Sequence, residues 1–354
     1  MKPMPNGRLW VVQIKFSQMQ FTEIKSKAIT YICLGFSSLS LLLMSPAVIA
    51  QPHASQTSSS PKWQSSLLLD HSLVGKVWHS ASQTFITEAQ LFDALGQSQY
   101  LLLGEKHDNP DHHLLQGKVL QYLIEENKIG RVAFEMMESD KQSLLDNIDL
   151  GEITSEALLK TYLSWDDEGW DWPFYGPLIN ASLQAGLKVT AANITSAEMM
   201  RVYQQPQDEA VARVLDESVI AQLNLDIDES HCQLLPESQF PAMVRVQQSR
   251  DYQMAEALLG ANSGSKDLEP QGAGLGLLIA GNYHIRQDLA VPNYLLARDA
   301  RLERDQILSL ALMEVSAEAT QPEDYQQRFN DVTAFDYIWF TPAISNQDYC
   351  ASLQ

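Results

Sequence analysis

Six short apolar runs, at residues 100–103, 131–134, 187–191, 275–280, 306–313 and 337–340, punctuate the chain, and stretches of helical period lie between them. Runs this short and this apolar suit strands covered on both faces. The helical patterns fall at 112–126, 155–163, 176–185, 208–223 and 238–259. A hairpin is expected at 74–79 and 84–86, followed by a helix that Thr87 caps and that runs to Leu95. Strand and helix alternating in this way predict an α/β fold, a mostly parallel sheet flanked by helices with right-handed crossovers. The stretch 195–260 is too long for one crossover and reads as a helical insertion forming a cap. No fixed-period repeat and no dividing linker are visible, so residues 66–354 are expected to form one domain.

Composition narrows the function. The formal charge is −20, from 24 Lys and Arg against 44 Asp and Glu. Without a basic face there is little counterion release to gain from a polyanion, and nucleic acid is excluded as a partner.

Residues 1–50 read as an address. Lys25 and Lys27 precede an apolar run over 28–44, and Val48 and Ala50 stand at the third-last and last positions before Gln51. This is the pattern of an export signal cleaved after Ala50. A retained span is the competing reading, weakened by Ser37, Ser38, Ser40 and Pro46. Cys33 lies mid-run, where it does not form a lipidation site, and Met19 is an alternative start. Cleavage leaves 19 basic and 43 acidic residues, about −24. Residues 51–65, rich in Ser, Gln and Pro, form a flexible leader. The expected product is soluble, exported or periplasmic, with no integral membrane span. There Cys232 and Cys350 are free to pair, although spacing alone does not bring them together.

In an open parallel sheet, ligands bind beyond the carboxyl ends of the strands. Glu105 and His107 follow the first long strand, Glu135 the second, Asn193 the third and His284 the fourth. If these strands are neighbours, one edge receives two carboxylates and two imidazoles. Glu105, His107, Glu135 and His284 match the nitrogen and oxygen donors of a divalent metal site. The same four serve equally as a hydrogen-bonded polar cluster, or as the catalytic groups of a hydrolase with a Glu as general base. Of His112 and His113, at a helix start, one is expected to turn inward and the other to meet water. His231 reads as a loop residue, and His53, His71 and His79 fall outside any constellation.

The segment 165–175 interleaves Trp165, Trp170, Trp172, Phe174 and Tyr175 with carboxylates. It serves either as the packing of a long loop or as the wall of a slot for a planar ligand. The glycines at 272, 274 and 276 precede a strand and are no dinucleotide fingerprint. Serine-hydrolase elbow and Walker loop are both missing.

Leu103-Gly104-Glu105-Lys106-His107, Glu135, Tyr175-Gly176-Pro177, Ala191-Ala192-Asn193, His231-Cys232, the stretch from Gln247 to Ala255 and Ala280-Gly281-Asn282-Tyr283-His284 together resemble the ChaN family of bacterial haem-binding uptake proteins. The likeness spans most of residues 75–345. More distantly it extends to the Tiki/TraB and erythromycin-esterase groups, through Gly104 with His107, Gly281 with His284, and Glu135. The resemblance implies an envelope protein of iron acquisition that binds haem face to face between two subunits, a homodimer, with a tyrosine on the iron. Tyr175 and Trp172, with Tyr283 and Arg286, are the residues assigned to the haem; Tyr203 and Tyr252 remain open as ligands. Arg245, Arg250 and Arg286 are candidates for the propionates. A haem carrier is favoured over an enzyme, with the metal-dependent hydrolase as the alternative. The chain departs from lipoprotein members in lacking the lipidation cysteine.

Overall fold

The computed structural model describes residues 62–260, 274–347 and 350–352. The export signal, its cleavage site, His53 and all but the end of the leader lie outside the described residues. The elements are β1 (Val77–His79), β2 (Thr84–Ile86), α1 (Glu88–Leu95), β3 (Tyr100–Glu105), α2 (Pro110–Glu125), β4 (Ile129–Glu138), α3 (Gln142–Asp146), α4 (Glu156–Tyr162), α5 (Trp172–Gln184) and β5 (Lys188–Asn193). They continue with α6 (Ser196–Gln204), α7 (Glu209–Ala212), α8 (Glu217–Ser230), α9 (Phe240–Leu259), β6 (Leu275–Gly281), α10 (Val291–Arg298), β7 (Ile307–Glu314), β8 (Arg328–Phe329), β9 (Val332–Thr333) and β10 (Tyr337–Thr341).

Eight strands form one sheet in the order β2-β1-β10-β7-β3-β6-β4-β5. The six from β10 to β5 run parallel, and the β1–β2 hairpin adds an antiparallel edge. The fold is therefore the mostly parallel α/β sheet flanked by helices that the apolar runs predict. Alternate residues divide the sheet between two cores. Leu101, Leu103, Val132, Phe134, Leu277 and Ile279 pack beneath α1, α2 and α5. Leu102, Ala133, Leu278 and Ala280 pack on the other face with Met254 and Leu258 of α9 and Tyr294 and Leu295 of α10. Each fully buried aliphatic side chain of this kind contributes about 1.5–3 kcal/mol.

Local chemistry sets the helix ends. Thr87 accepts a hydrogen bond from the Gln90 amide while the Gln90 side chain returns to Thr87, a reciprocal cap. Asn109 accepts from the amides of Asp111 and His112, and Pro110 needs no amide partner in the first turn. The helix expected at 208–223 is two, because Asp216 accepts from the Val219 amide and starts α8 afresh. α5 begins at Trp172, earlier than expected, since Pro173 is tolerated in a first turn. Gly260 ends α9 at φ 73°, a left-handed conformation that glycine adopts without strain. Cys232 is disulfide-bonded to Cys350 across 118 residues, with Cα atoms 5.4 Å apart.

Candidate functional site

β6 lies between β3 and β4, and its register places Gly281 opposite Glu105 and Ile279 opposite Phe134. The carboxyl ends of the three strands therefore adjoin. A shift in register between Phe134 and Glu138 loosens the end of β4 just where Glu135 sits. Glu105 turns to the α2 and α5 side of the sheet and Glu135 to the α9 side, so the polar groups bridge both faces across the strand ends.

Glu105 is fully buried among four donors. Its Oε1 accepts from the Tyr175 hydroxyl at 2.6 Å and from His107 Nδ1 at 2.7 Å. Its Oε2 accepts from Gln116 Nε2 at 2.6 Å, and His113 Nδ1 lies 3.2 Å away. Burial alone pushes this carboxyl upward; the charge of His113 and the His107 hydrogen bond outweigh it and hold Glu105 well below the usual carboxylate range. His113 Nε2 meets the His107 carbonyl at 2.9 Å, so both ring nitrogens face acceptors, which favours the protonated ring. Burial opposes that charge, and Glu105 overcomes it, raising the His113 pKa.

Across the sheet, Glu135 Oε2 accepts from the Gly281 amide at 2.7 Å, and its Oε1 lies 3.3 Å from His284 Nε2. His284 Nδ1 donates to Asp251 Oδ1 at 2.6 Å, and Gln247 donates to both Asp251 oxygens. Burial works against the His284 charge, but Glu135 and Asp251 together raise its pKa to about 10. Glu135, raised by burial and lowered by His284, comes down to about 2. Asp251 is pushed upward by burial and by repulsion from Glu135, so Glu135 is the firmer anion of the two.

His107 joins the halves. Nδ1 is held by Glu105, Nε2 stands 4.0 Å from Glu135 Oε2, and the Trp170 ring approaches edge-on at 4.9 Å. Its side chain is 18% exposed, the most open of the cluster. A Cβ on Gly281 would come within 2.9 Å of Nε2, so glycine is what lets the imidazole cross the strand end.

Glu105, His107, Glu135 and His284 thus meet as the strand ends predict, and they do so as an alternating chain of ion pairs. That arrangement gives the metal-ligand expectation no support. His284 has a carboxylate at each nitrogen and His107 has one at Nδ1, and no group of three or more His, Cys, Asp and Glu among the described residues converges as a ligand set. The expectation for His112 and His113 is corrected, because both are buried. His112 Nδ1 accepts the Lys106 amide and its Nε2 donates to Thr341, with burial holding it neutral. Asn193 reaches the cluster through a hydrogen bond to the Glu135 carbonyl at 3.1 Å. His231 closes the end of α8 on the Ile227 carbonyl, and His71 and His79 bond within their own turns.

The four residues expected to hold haem do not share a slot. Tyr175 and Trp172 are buried in the α2 and α5 core, while Tyr283 packs on the opposite core. Burial and then Glu105 push the Tyr175 phenol far upward; burial and then Asp226, which accepts from the Tyr283 hydroxyl at 2.8 Å, do the same to Tyr283. Both phenols donate to a carboxylate, which favours their protonated form in this structure. Arg286 is spent in a bidentate pair with Asp288 at 2.9 and 2.7 Å. Sequence reasoning assigned no roles to Gln116, Gln247 and Asp251; the i, i+4 spacing of Gln247 and Asp251 is the one signal that could have found the last two.

The sequence model of a family described as haem-binding uptake, Tiki superfamily, ChaN matches residues 91–295. Among solved structures, the ChaN of Campylobacter jejuni, described by its cofacial heme binding, is 25% identical and aligns over 74% of this chain and 95% of its own, with a TM-score of 0.58. An erythromycin esterase in its open conformation is 14% identical over 77% of this chain and 99% of its own, with a TM-score of 0.41. No curated protein matches the sequence. With its model matched across more than half of the residues and a ChaN structure covered almost end to end, the chain belongs to the haem-binding ChaN family of the Tiki superfamily.

Proposed function

We propose that this protein is an exported haem-binding protein of haem or iron handling, working as a homodimer around its ligand. The reading rests on the match to Campylobacter ChaN, which extends over 95% of that haem-binding protein. The Cys232–Cys350 disulfide supports an oxidising compartment such as the periplasm. Among the described residues no helix is long and apolar enough to cross a membrane.

Ferric haem, when bound, takes an axial oxygen or nitrogen donor and offers two carboxylates. The chemistry of the donors favours the face where α6 meets α9. Tyr203 is partly exposed there, and its hydroxyl bonds a neutral amide, Gln239 at 3.2 Å, where Tyr175 and Tyr283 donate to carboxylates. Tyr252 is less suited, since burial and then Glu256 raise its pKa. Tyr203 and Met199 pack on a small apolar cluster of Ile194, Val202 and Val246, which is the surface a porphyrin edge requires. Titration of purified protein with haemin tests the reading: a saturable Soret band supports it, and haemin uptake no tighter than by an unrelated acidic protein removes it.

One observation favours a second activity in the strand-end crevice. Glu105 fixes the His107 ring through Nδ1 and leaves Nε2 toward the crevice, the geometry of an oriented general base for water. The His107 pKa, lowered by burial and then raised further by Glu105 and Glu135, ends above its ordinary value, so hydrolysis would increase as pH rises through that range. Ester turnover lost in His107→Ala supports this activity, and equal turnover in both proteins dismisses it.

A further inference from the structure

We propose that Arg250 is the anchor for a carboxylate of the bound ligand on the α6–α9 face, a propionate if the ligand is the haem assigned above, on which this inference rests. The chain carries far more acid than base, and its partly buried arginines are nearly all engaged. Arg286 pairs with Asp288 and Arg298 with Glu256. Arg131 donates to the carbonyls of Ala257 and Leu258. Of the three arginines the sequence offers for propionates, Arg286 is therefore taken. Arg245 is taken as well, since it donates to the carbonyls of Val202 and Tyr203 at the end of α6.

Arg250 differs. Its Nε is buried without a hydrogen-bond partner, and among the described residues its guanidinium meets only the Met199 sulfur, 3.7 Å from Nη2. A thioether is a weak acceptor and carries no charge to balance the cation. A partly buried guanidinium left in that condition is costly, and the cost is recovered by an anion that can accept from two of its nitrogens. A carboxylate matches that fork.

The position fits the ligand. Met199 and Tyr203 are one turn apart on α6, so they lie on one face of that helix. Arg250 reaches Met199 from α9, one turn beyond Val246, which belongs to the same apolar cluster as Tyr203. A flat ligand lying along this face has the tyrosine toward one end and the guanidinium toward the other.

Three porphyrins separate the contributions: haemin, with iron and carboxylates; protoporphyrin IX, with carboxylates and no iron; and haemin dimethyl ester, with iron and no free carboxylate. Arg250→Gln is expected to weaken haemin and protoporphyrin IX by about 10- to 100-fold, the range for one charge-assisted hydrogen-bonded contact, and to leave the ester unchanged. Arg250→Lys, which keeps the charge and loses the fork, is expected to fall between. In the unaltered protein, haemin affinity is expected to fall with added salt and ester affinity to hold. Equal haemin binding by wild-type protein and Arg250→Gln, or equal weakening of all three ligands, overturns the anchor while leaving the haem reading intact. Wild-type protein that binds none of the three removes both.

Discussion

His107 Nε2 stands 4.0 Å from Glu135 Oε2, near enough for charge to couple them and too far for a hydrogen bond. The gap is kept by Gly281, whose missing Cβ leaves room for the imidazole. Gly281→Ala is therefore expected to displace His107, weaken its coupling to Glu135 and bring its pKa down toward the ordinary value. Overpacking of this kind costs about 1–3 kcal/mol. NMR titration of the His107 ring with a urea melt checks both effects; an unchanged His107 pKa would show that the close approach has no electrostatic consequence.

His284 gives the sharpest pH dependence. Its folded pKa is raised from 6.5 to about 10, so its pairing stabilises the fold fully below pH 6.5 and that contribution is lost as pH rises toward 10. Glu135 works in the opposite sense: its pKa of about 2 gives stability above pH 4.5 that is lost as pH falls toward 2. Glu135→Gln is expected to bring the His284 pKa down and to destabilise by about 3–5 kcal/mol, the range for stranding one member of a buried pair. Histidine NMR across pH 6–11 reads the first, and denaturant melts of both proteins read the second. A His284 titrating near 6.5 in the wild type would contradict the arrangement.

Tyr175 donates its hydroxyl to Glu105 in this structure, and the haem reading above places the iron on Tyr203 instead. Tyr175→Phe is expected to destabilise by about 1.5–3 kcal/mol, since it removes a hydrogen bond to a charged group. The haemin spectrum is expected to stay unchanged. A Soret shift in this variant would return Tyr175 to the iron.

The disulfide closes a loop of 118 residues. In the chain-entropy account such a closure is worth about 4–5 kcal/mol. Reduction, or Cys232→Ser, is expected to lower the thermal midpoint, and scanning calorimetry with and without reductant checks it. An unchanged midpoint would mean that the reduced chain is already restrained.

Legibility in the sequence followed range. The apolar runs at 100–103, 131–134 and 275–280 became β3, β4 and β6 because their residues bury on both faces, a property each run carries by itself. Glu105, His107, Glu135 and His284 were legible as a group because strand ends converge in any parallel sheet. Partners supplied by helices were not. Gln116 reaches Glu105 from α2 and Asp251 reaches His284 from α9, contacts set by how the helices dock and not by any local pattern. The surroundings of the aromatic segment were hidden for the same reason. Tyr175 and Trp172 looked like the wall of a slot, yet the Glu105 carboxylate takes the tyrosine hydroxyl and the α5 packing takes the indole. Pairing of Cys232 with Cys350 was open in the sequence and needed the folded path of the chain to close it.

The assignment of haem to the α6–α9 face is tested most directly by the visible spectrum of the ferric complex of Tyr203→Phe beside that of the wild type. Loss of the tyrosinate-to-iron charge-transfer band and a shifted Soret maximum in Tyr203→Phe, with Tyr175→Phe unchanged, is the predicted result. Identical spectra for Tyr203→Phe and wild type would contradict it.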